Sequence, residues 1–282
     1  MKLELYKTLW GHKGTAASAV ACALEAGFHG IEGPVPEDSA SRVAFLSEIA
    51  GVPWIAEIST CTPPGEYLPR PHLSPEDHLA SLEAGILRSL VGEPRFITTM
   101  AGSDAWSLDE VLRFHERVMT LQEKHGIVIS VETHRGRPTF HPWRTMEILR
   151  AFPELRLTCD FSHWCVVTER LILDQEPEML RQIANHVHHV HGRVGYAQGP
   201  QVPDPRAPEH ADDLAAHERW WDVLFAAMQK RGMETATLTP ESGPDGYLHC
   251  QPFTCEPVAD LWEINRWIGL RQLERFNPRS LP

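Results

Sequence analysis

The sequence has 282 residues, of which 42% are hydrophobic and 23% charged, and its formal net charge is −12. This length suffices for a (β/α)8 barrel, which typically needs about 250 residues, and an acidic chain repels phosphate backbones, so we expect no nucleic-acid partner. The N-terminal residues show no apolar signal segment, and no stretch approaches the roughly 18 apolar residues of a membrane helix, so we expect a cytoplasmic protein without a membrane partner.

Short β-rich runs recur eight times along the chain. The predicted strands are Leu3–Thr8, Gly30–Glu32, Trp54–Ser59, Arg95–Met100, Val128–Glu132, Arg156–Asp160, Val187–His191 and Thr235–Glu241. The segments between and after them have the 3.6-residue apolar spacing of helices. These predicted helices are Ala16–Ala26, Ser41–Ala50, Pro75–Leu90, Leu108–Lys124, Trp143–Phe152, Glu178–Asn185, Leu214–Lys230 and Val258–Leu273.

Strict alternation of strands and helices predicts a parallel sheet with crossover helices. Eight such units in a chain of this length favour closure into a single (β/α)8 TIM barrel, an α/β fold, and we expect residues 1–282 to form one domain. The connections from strand to helix are long at residues 60–74, 192–210 and 242–257. Because these connections build the active-site face of a barrel, chemistry is expected at the C-terminal ends of the strands.

The last four predicted strands each end near a carboxylate or an imidazole. These side chains belong to Glu132, Asp160, His191 and Glu241. A closed barrel would direct them to one point, where three carboxylates repel each other and burial raises the cost. One divalent cation (Mn2+, Zn2+, Mg2+ or Co2+) would remove that cost.

Each of these residues also has an ordinary structural explanation. Glu132 and Asp160 could form ion pairs with Arg135, Arg137 or Arg156 instead. His191 could be a hydrogen-bonded barrel histidine, and Glu241 could cap the following turn. The position of all four at successive strand ends favours the metal site.

The chain at this point resembles the xylose isomerase-like TIM-barrel superfamily. That group includes sugar isomerases, ketose 3-epimerases, dehydratases and endonuclease IV. The resemblance extends over nearly the whole chain in the alternation of strands and helices, and it rests on short motifs. They are Gly27-Phe28-His29-Gly30-Ile31-Glu32, Val131-Glu132-Thr133-His134, Asp160-Phe161-Ser162-His163 and His189-Val190-His191 followed by Gly and Arg.

The resemblance implies roles for individual residues. The four ligands of the epimerase branch correspond here to Glu132, Asp160, His191 and Glu241, and His163 corresponds to a histidine that contacts substrate. We assign Glu132, Glu241 and His163 to catalysis, with both glutamates acting as ligand and acid or base. Candidate substrate-binding residues are His134, Arg135, Arg193, Arg206, Trp10 and Glu32. His189 is expected to lie behind His191 and to support this ligand without binding the metal itself.

The implied function is a metal-dependent isomerase or epimerase that removes a proton α to the carbonyl of a sugar-derived keto compound. A dehydratase or other lyase acting on a keto-polyol or keto-acid is the alternative. An endonuclease IV-like hydrolase and a non-catalytic binding barrel rank below both. The small-molecule substrate could be anionic because arginines surround the site, and the chain could form a homo-oligomer.

The chain departs from the epimerases at two places. Pro138 stands where they commonly carry another acid, and residues 195–206 are unlike their counterpart. Glu57, at the end of the third strand, is expected to make ordinary hydrogen bonds at the barrel mouth. His115, His125 and His249 are expected in surface or loop positions.

Overall fold

The computed structural model describes residues 1–63, 66, 68–244 and 246–277. Eight parallel strands in these ranges close into a barrel in chain order, with the last strand hydrogen-bonded to the first. The strands are β1 (Lys2–Thr8), β2 (Gly30–Gly33), β3 (Trp54–Ser59), β4 (Ile97–Met100), β5 (Ile129–Glu132), β6 (Arg156–Cys159), β7 (Val187–His191) and β8 (Thr235–Thr239). The predicted (β/α)8 fold is confirmed, whereas the prediction of a single domain stays a prediction.

Helices connect the strands on the outside of the barrel. They are α1 (Ala16–Glu25), α2 (Ser39–Glu48), α3 (Pro75–Leu90), α4 (Leu108–His125), α5 (Pro142–Ala151), α6 (Ser162–Thr168), α7 (Ile172–Gln175), α8 (Pro177–Ala184), α9 (Ala211–Lys230) and α10 (Leu261–Phe276). The short helices α6 and α7 were not predicted, because runs of seven and four residues are too short to show a helical period. No helix of the described ranges is long and apolar enough to cross a bilayer.

Capping residues explain where several helices begin. The side chain of Asp38 accepts hydrogen bonds from the backbone of Ala40 and Ser41, so α2 begins at Ser39 rather than at the predicted Ser41. Asp260 caps α10 in the same way and moves its start from the predicted Val258 to Leu261. The apolar period alone misplaced both starts, because a cap depends on a polar residue outside that period.

Two strands end earlier than predicted, with consequences for the site. Pro240 has no backbone N–H to continue the ladder of hydrogen bonds, and β8 ends at Thr239. The last strand residue of β6 is Cys159. Asp160 and Glu241 therefore lie in the loops just beyond their strands, at the C-terminal rim of the barrel.

The core between barrel and helices contains unexpected polar residues. Trp220 and Trp221 of α9 are buried in this core. His115 is also fully buried, on the inner face of α4 beside Val111 and Phe114, so the prediction of a surface position is wrong. The helical period places residue 115 on the same face as residue 111, and packing follows that period rather than side-chain polarity.

Candidate functional site

The four predicted ligands converge at the C-terminal rim of the barrel. Glu132 and His191 are the last residues of β5 and β7, while Asp160 and Glu241 follow β6 and β8. All four side chains are buried. Each offers one ligand atom, and these atoms all lie within 4.8 Å of one another.

His191 lies at the centre of this cluster. Its Nδ1 atom is 3.0 Å from Oε2 of Glu241 and 3.5 Å from Oε1 of Glu132. Burial alone would lower the pKa of His191, but the carboxylates of Glu241, Glu32 and Glu132 outweigh burial and raise this pKa well above its ordinary value. A protonated imidazole would thus supply positive charge to the clustered carboxylates, a role that a bound cation would take over from it.

The carboxylate of Glu132 is only partly paired. Among the described residues, Oε2 of Glu132 is buried without a hydrogen bond. Burial raises the pKa of Glu132 to about 7 against the opposing effect of His191, and burial also raises the pKa of Asp160. Three carboxylates and one imidazole are a donor set that divalent ions accept, and a cation would satisfy the unpaired oxygen. The residues therefore fit a divalent metal.

Arg193 supplies a second positive charge at the cluster. Its Nη2 atom contacts Oδ2 of Asp160, and its Nε atom donates to Oγ of Ser162 at 3.1 Å. The guanidinium lies 5.6 Å from the ring centre of Trp10 and 4.8 Å from that of Tyr247. Nη1 has no hydrogen-bond partner in the described part of the chain. Arg193 is thus held in place by several contacts, and its Nη1 group is a buried donor without a partner among the described residues.

His134 and His163 form a neutral pair beside Glu132. Their rings are 3.9 Å apart, and burial lowers the pKa of both well below the ordinary value. Nε2 of His163 accepts from Nη2 of Arg193 at 2.9 Å, so its proton is on Nδ1. These two imidazoles and Glu132 also offer atoms within 4.8 Å of one another. The Arg193 charge and this tautomer of His163 both oppose a second cation there.

An open cavity of about 450 Å3 lies above the cluster. Its walls include the predicted residues Trp10, Glu132, His134, Arg193 and Glu241. They also include two residues that were not predicted to belong to the site, Glu57 and Tyr247.

Glu57 stands near a strand end, as the four ligands do, but it was expected only to make ordinary hydrogen bonds at the barrel mouth. Burial, followed by the charges of Glu241 and Glu32, raises its pKa to about 8. Tyr247 carries no comparable signal, because it lies in an irregular loop. Its ring packs edge-on against that of Trp10 at 4.9 Å.

Glu32 lies beneath the cluster rather than on the cavity wall, so its expected substrate contact is not supported. Its two carboxylate oxygens accept from Nε2 of His189 and Nε2 of His191, each at 3.0 Å. Burial would raise the pKa of Glu32, but the two imidazoles outweigh it and lower this pKa far below the usual range. Only the fold brings β2 and β7 face to face, so the sequence could not reveal this contact.

Arg206 also lies away from the cavity, and its expected substrate contact is not supported. Its guanidinium makes a salt bridge with Asp204 at 2.7 Å and borders a separate surface groove with Glu263 and Trp267. Arg135 is half-buried, with its guanidinium 5.0 Å from the ring centre of Tyr247. Of the predicted arginines, Arg193 has the geometry of a site residue.

Arg137 does not neutralise Glu132 by an ion pair. It is fully buried and donates to the carbonyl oxygens of Thr60 and Gly102 and to the hydroxyls of Ser59 and Thr62. These bonds tie the loop after β3 to the loops after β4 and β5. Arg137 therefore shapes the cavity wall without facing the metal cluster.

Comparison with known proteins returns no matching family profile and no matching curated protein. Among solved structures, the chain is similar to D-allulose 3-epimerase from Methylomonas sp. in complex with D-allulose, with 14% identity and a TM-score of 0.61 over 97% of each chain. It is similar to the IOLI protein with a bound zinc atom, with 11% identity and a TM-score of 0.61 over 98% of this chain and 99% of that chain.

A third similar structure is endonuclease IV from Thermus thermophilus, with 14% identity and a TM-score of 0.57 over 99% of this chain and 100% of that chain. These neighbours differ in activity, and at such identities the likeness extends to the fold. The chain therefore shares the (β/α)8 barrel fold of these structures, in agreement with the fold predicted from its sequence.

Proposed function

We propose that this chain is a divalent-metal-dependent isomerase or epimerase that acts on a sugar or a sugar-derived keto compound. The observation that carries the proposal is the convergence of Glu132, Asp160, His191 and Glu241 at the floor of a cavity. The solved epimerase with D-allulose and the zinc-containing protein of the same fold support it by analogy.

The four converging residues would hold the metal. A bound divalent cation supplies Lewis-acid polarisation of a substrate carbonyl, which lowers the cost of removing the adjacent proton. Glu132 and Glu241 line the cavity, so each carboxylate can face a substrate carbon. We assign the carboxylate of Glu132 to proton removal and that of Glu241 to proton return, in addition to their roles as ligands.

The remaining residues orient the substrate. Nη1 of Arg193 and the proton on Nδ1 of His163 are buried donors without partners in the ranges that the structure describes, and both suit substrate oxygens. Trp10 and Tyr247 form apolar walls, which suit the C–H face of a sugar.

The charges of the cavity favour a neutral substrate over an anionic one. Glu66, Glu132 and Glu241 line it, and Arg193 already contacts Asp160. An added carboxylate or phosphate would meet these acids at close range. We therefore propose a neutral polyhydroxylated ketone as the substrate class.

The test is proton exchange at carbon. The chain loaded with Mn2+, Mg2+, Zn2+ or Co2+ is incubated in D2O with a panel of ketoses, sugar acids and keto-acids, and NMR measures deuterium incorporation and product identity. We expect exchange and an isomeric product with at least one neutral ketose, and a loss of about 100-fold or more in Glu132→Gln and Glu241→Gln.

Glu218→Gln is the matched control, since Glu218 is buried but paired with Arg271 on α9 and α10, away from the cavity. It should keep full activity. Elimination of water from a substrate would support a lyase instead. A metal-loaded chain that exchanges no substrate proton would contradict the proposal.

A further inference from the structure

A closed hydrogen-bond network lies under the predicted metal ligands. Glu32 joins the Nε2 atoms of His189 and His191, each at 3.0 Å, and also accepts from the hydroxyl of Thr239. Nδ1 of His189 accepts a hydrogen bond from the hydroxyl of Thr237 at 2.7 Å. All five side chains are buried in the barrel interior.

The network determines which nitrogen of His191 carries a proton. An ionised carboxylate only accepts hydrogen bonds, so Nε2 of His191 must donate to Glu32. A neutral imidazole has one proton, and its lone pair is then on Nδ1. That atom faces Glu241 and Glu132, at the point where the four ligand atoms converge.

Without Glu32 the opposite tautomer would be favoured. The carboxylates of Glu241 and Glu132 are 3.0 and 3.5 Å from Nδ1, so their negative charges would favour a proton on this atom. His191 would then direct an N–H group at these ligands and offer the cluster no lone pair. Glu32 supplies the competing acceptor on the other side of the ring.

We propose that Glu32 is a positioning residue that holds His191 in the tautomer whose Nδ1 atom binds the metal. This inference rests on the proposed function, and it assigns Glu32 a role behind the ligands in place of substrate contact. Carboxylates that orient a ligating histidine in this way typically contribute about 10–100-fold to metal affinity. His189 and Thr239 hold the carboxylate of Glu32 in place.

Glu32→Leu tests the role because leucine fills a similar space and accepts no hydrogen bond. Glu218→Leu is the matched control, with a buried glutamate removed from α9 far from the cluster. Calorimetry measures the Kd of Zn2+ for each protein, and thermal unfolding without metal measures stability. We expect Glu32→Leu to weaken Zn2+ binding about 10–100-fold, and Glu218→Leu to lower stability with its Kd within about threefold of the wild type.

A spectroscopic measurement separates tautomer control from general destabilisation. Long-range 1H–15N NMR of the Zn2+-loaded wild type should show His191 coordinated through Nδ1, with a downfield, slowly exchanging proton on Nε2. In Glu32→Leu this proton should lose its protection. A structural role limited to packing would leave it unchanged.

The outcomes are distinct. Coordination through Nε2 in the wild type, or a Kd for Glu32→Leu within about threefold of the wild type, would overturn the role of Glu32 while leaving the metal site intact. A wild-type chain that binds none of the four candidate ions would refute the proposed function and this inference with it.

Discussion

Burial of His115 should make the folded protein sensitive to acid. The imidazole is fully buried in α4 and donates from Nδ1 to the carbonyl of Val111 at 2.7 Å. Its Nε2 atom has no partner in the described ranges, and the rings of Phe114 and Phe152 lie nearby. A proton on Nε2 would therefore bring an unpaired charge into an apolar site.

Burial lowers the pKa of His115 from 6.5 to about 4. Between these values the unfolded chain binds one more proton than the folded chain, so this contribution to stability is full above pH 6.5 and is lost as the pH falls through 4. Each pH unit in the window changes the free energy of unfolding by about 1.4 kcal/mol. The whole window amounts to roughly 3 kcal/mol.

Urea unfolding of the wild type and of His115→Leu, followed by circular dichroism from about pH 7 to about pH 4.5, measures this effect. The variant should gain stability relative to the wild type as the pH falls, by about 1.4 kcal/mol per pH unit below 6.5. His249→Leu, a change at an exposed position, should follow the wild type. Parallel curves for the wild type and His115→Leu would refute the reasoning.

Three further changes test the site. Glu132→Gln should weaken binding of the divalent ion by more than about 100-fold in calorimetry, because it removes a ligand rather than a supporting residue; unchanged affinity would contradict the ligand assignment. Arg137→Lys should lower the free energy of unfolding, measured in urea, by about 2–4 kcal/mol, because lysine cannot reach all four oxygens that Arg137 binds. A loss below about 0.5 kcal/mol would argue against a role of Arg137 in joining these loops. Gly243→Ala should raise KM with little change in metal affinity, because the new Cβ would lie 1.9 Å from the Trp10 ring and would displace this ring. An unchanged KM would show that the Trp10 ring does not contact the substrate.

The sequence was sufficient for the fold and for the four converging side chains. Strand and helix periods are local properties of the chain, and eight alternations in this length leave few arrangements other than a closed barrel. Because every parallel strand of a barrel ends on the same face, acids and imidazoles at strand ends must meet there. Glu132, Asp160, His191 and Glu241 could be selected on that ground.

Only the tertiary structure decided how the other polar residues are used. Glu32 contacts His189 and His191 across 157 and 159 positions of sequence, and no local period encodes such a pairing. Arg193 and Arg206 are equivalent in the sequence, yet one is buried against Asp160 and the other pairs with its neighbour Asp204. Side-chain partners depend on which strands the barrel brings together, and that is a property of the closed fold rather than of any segment.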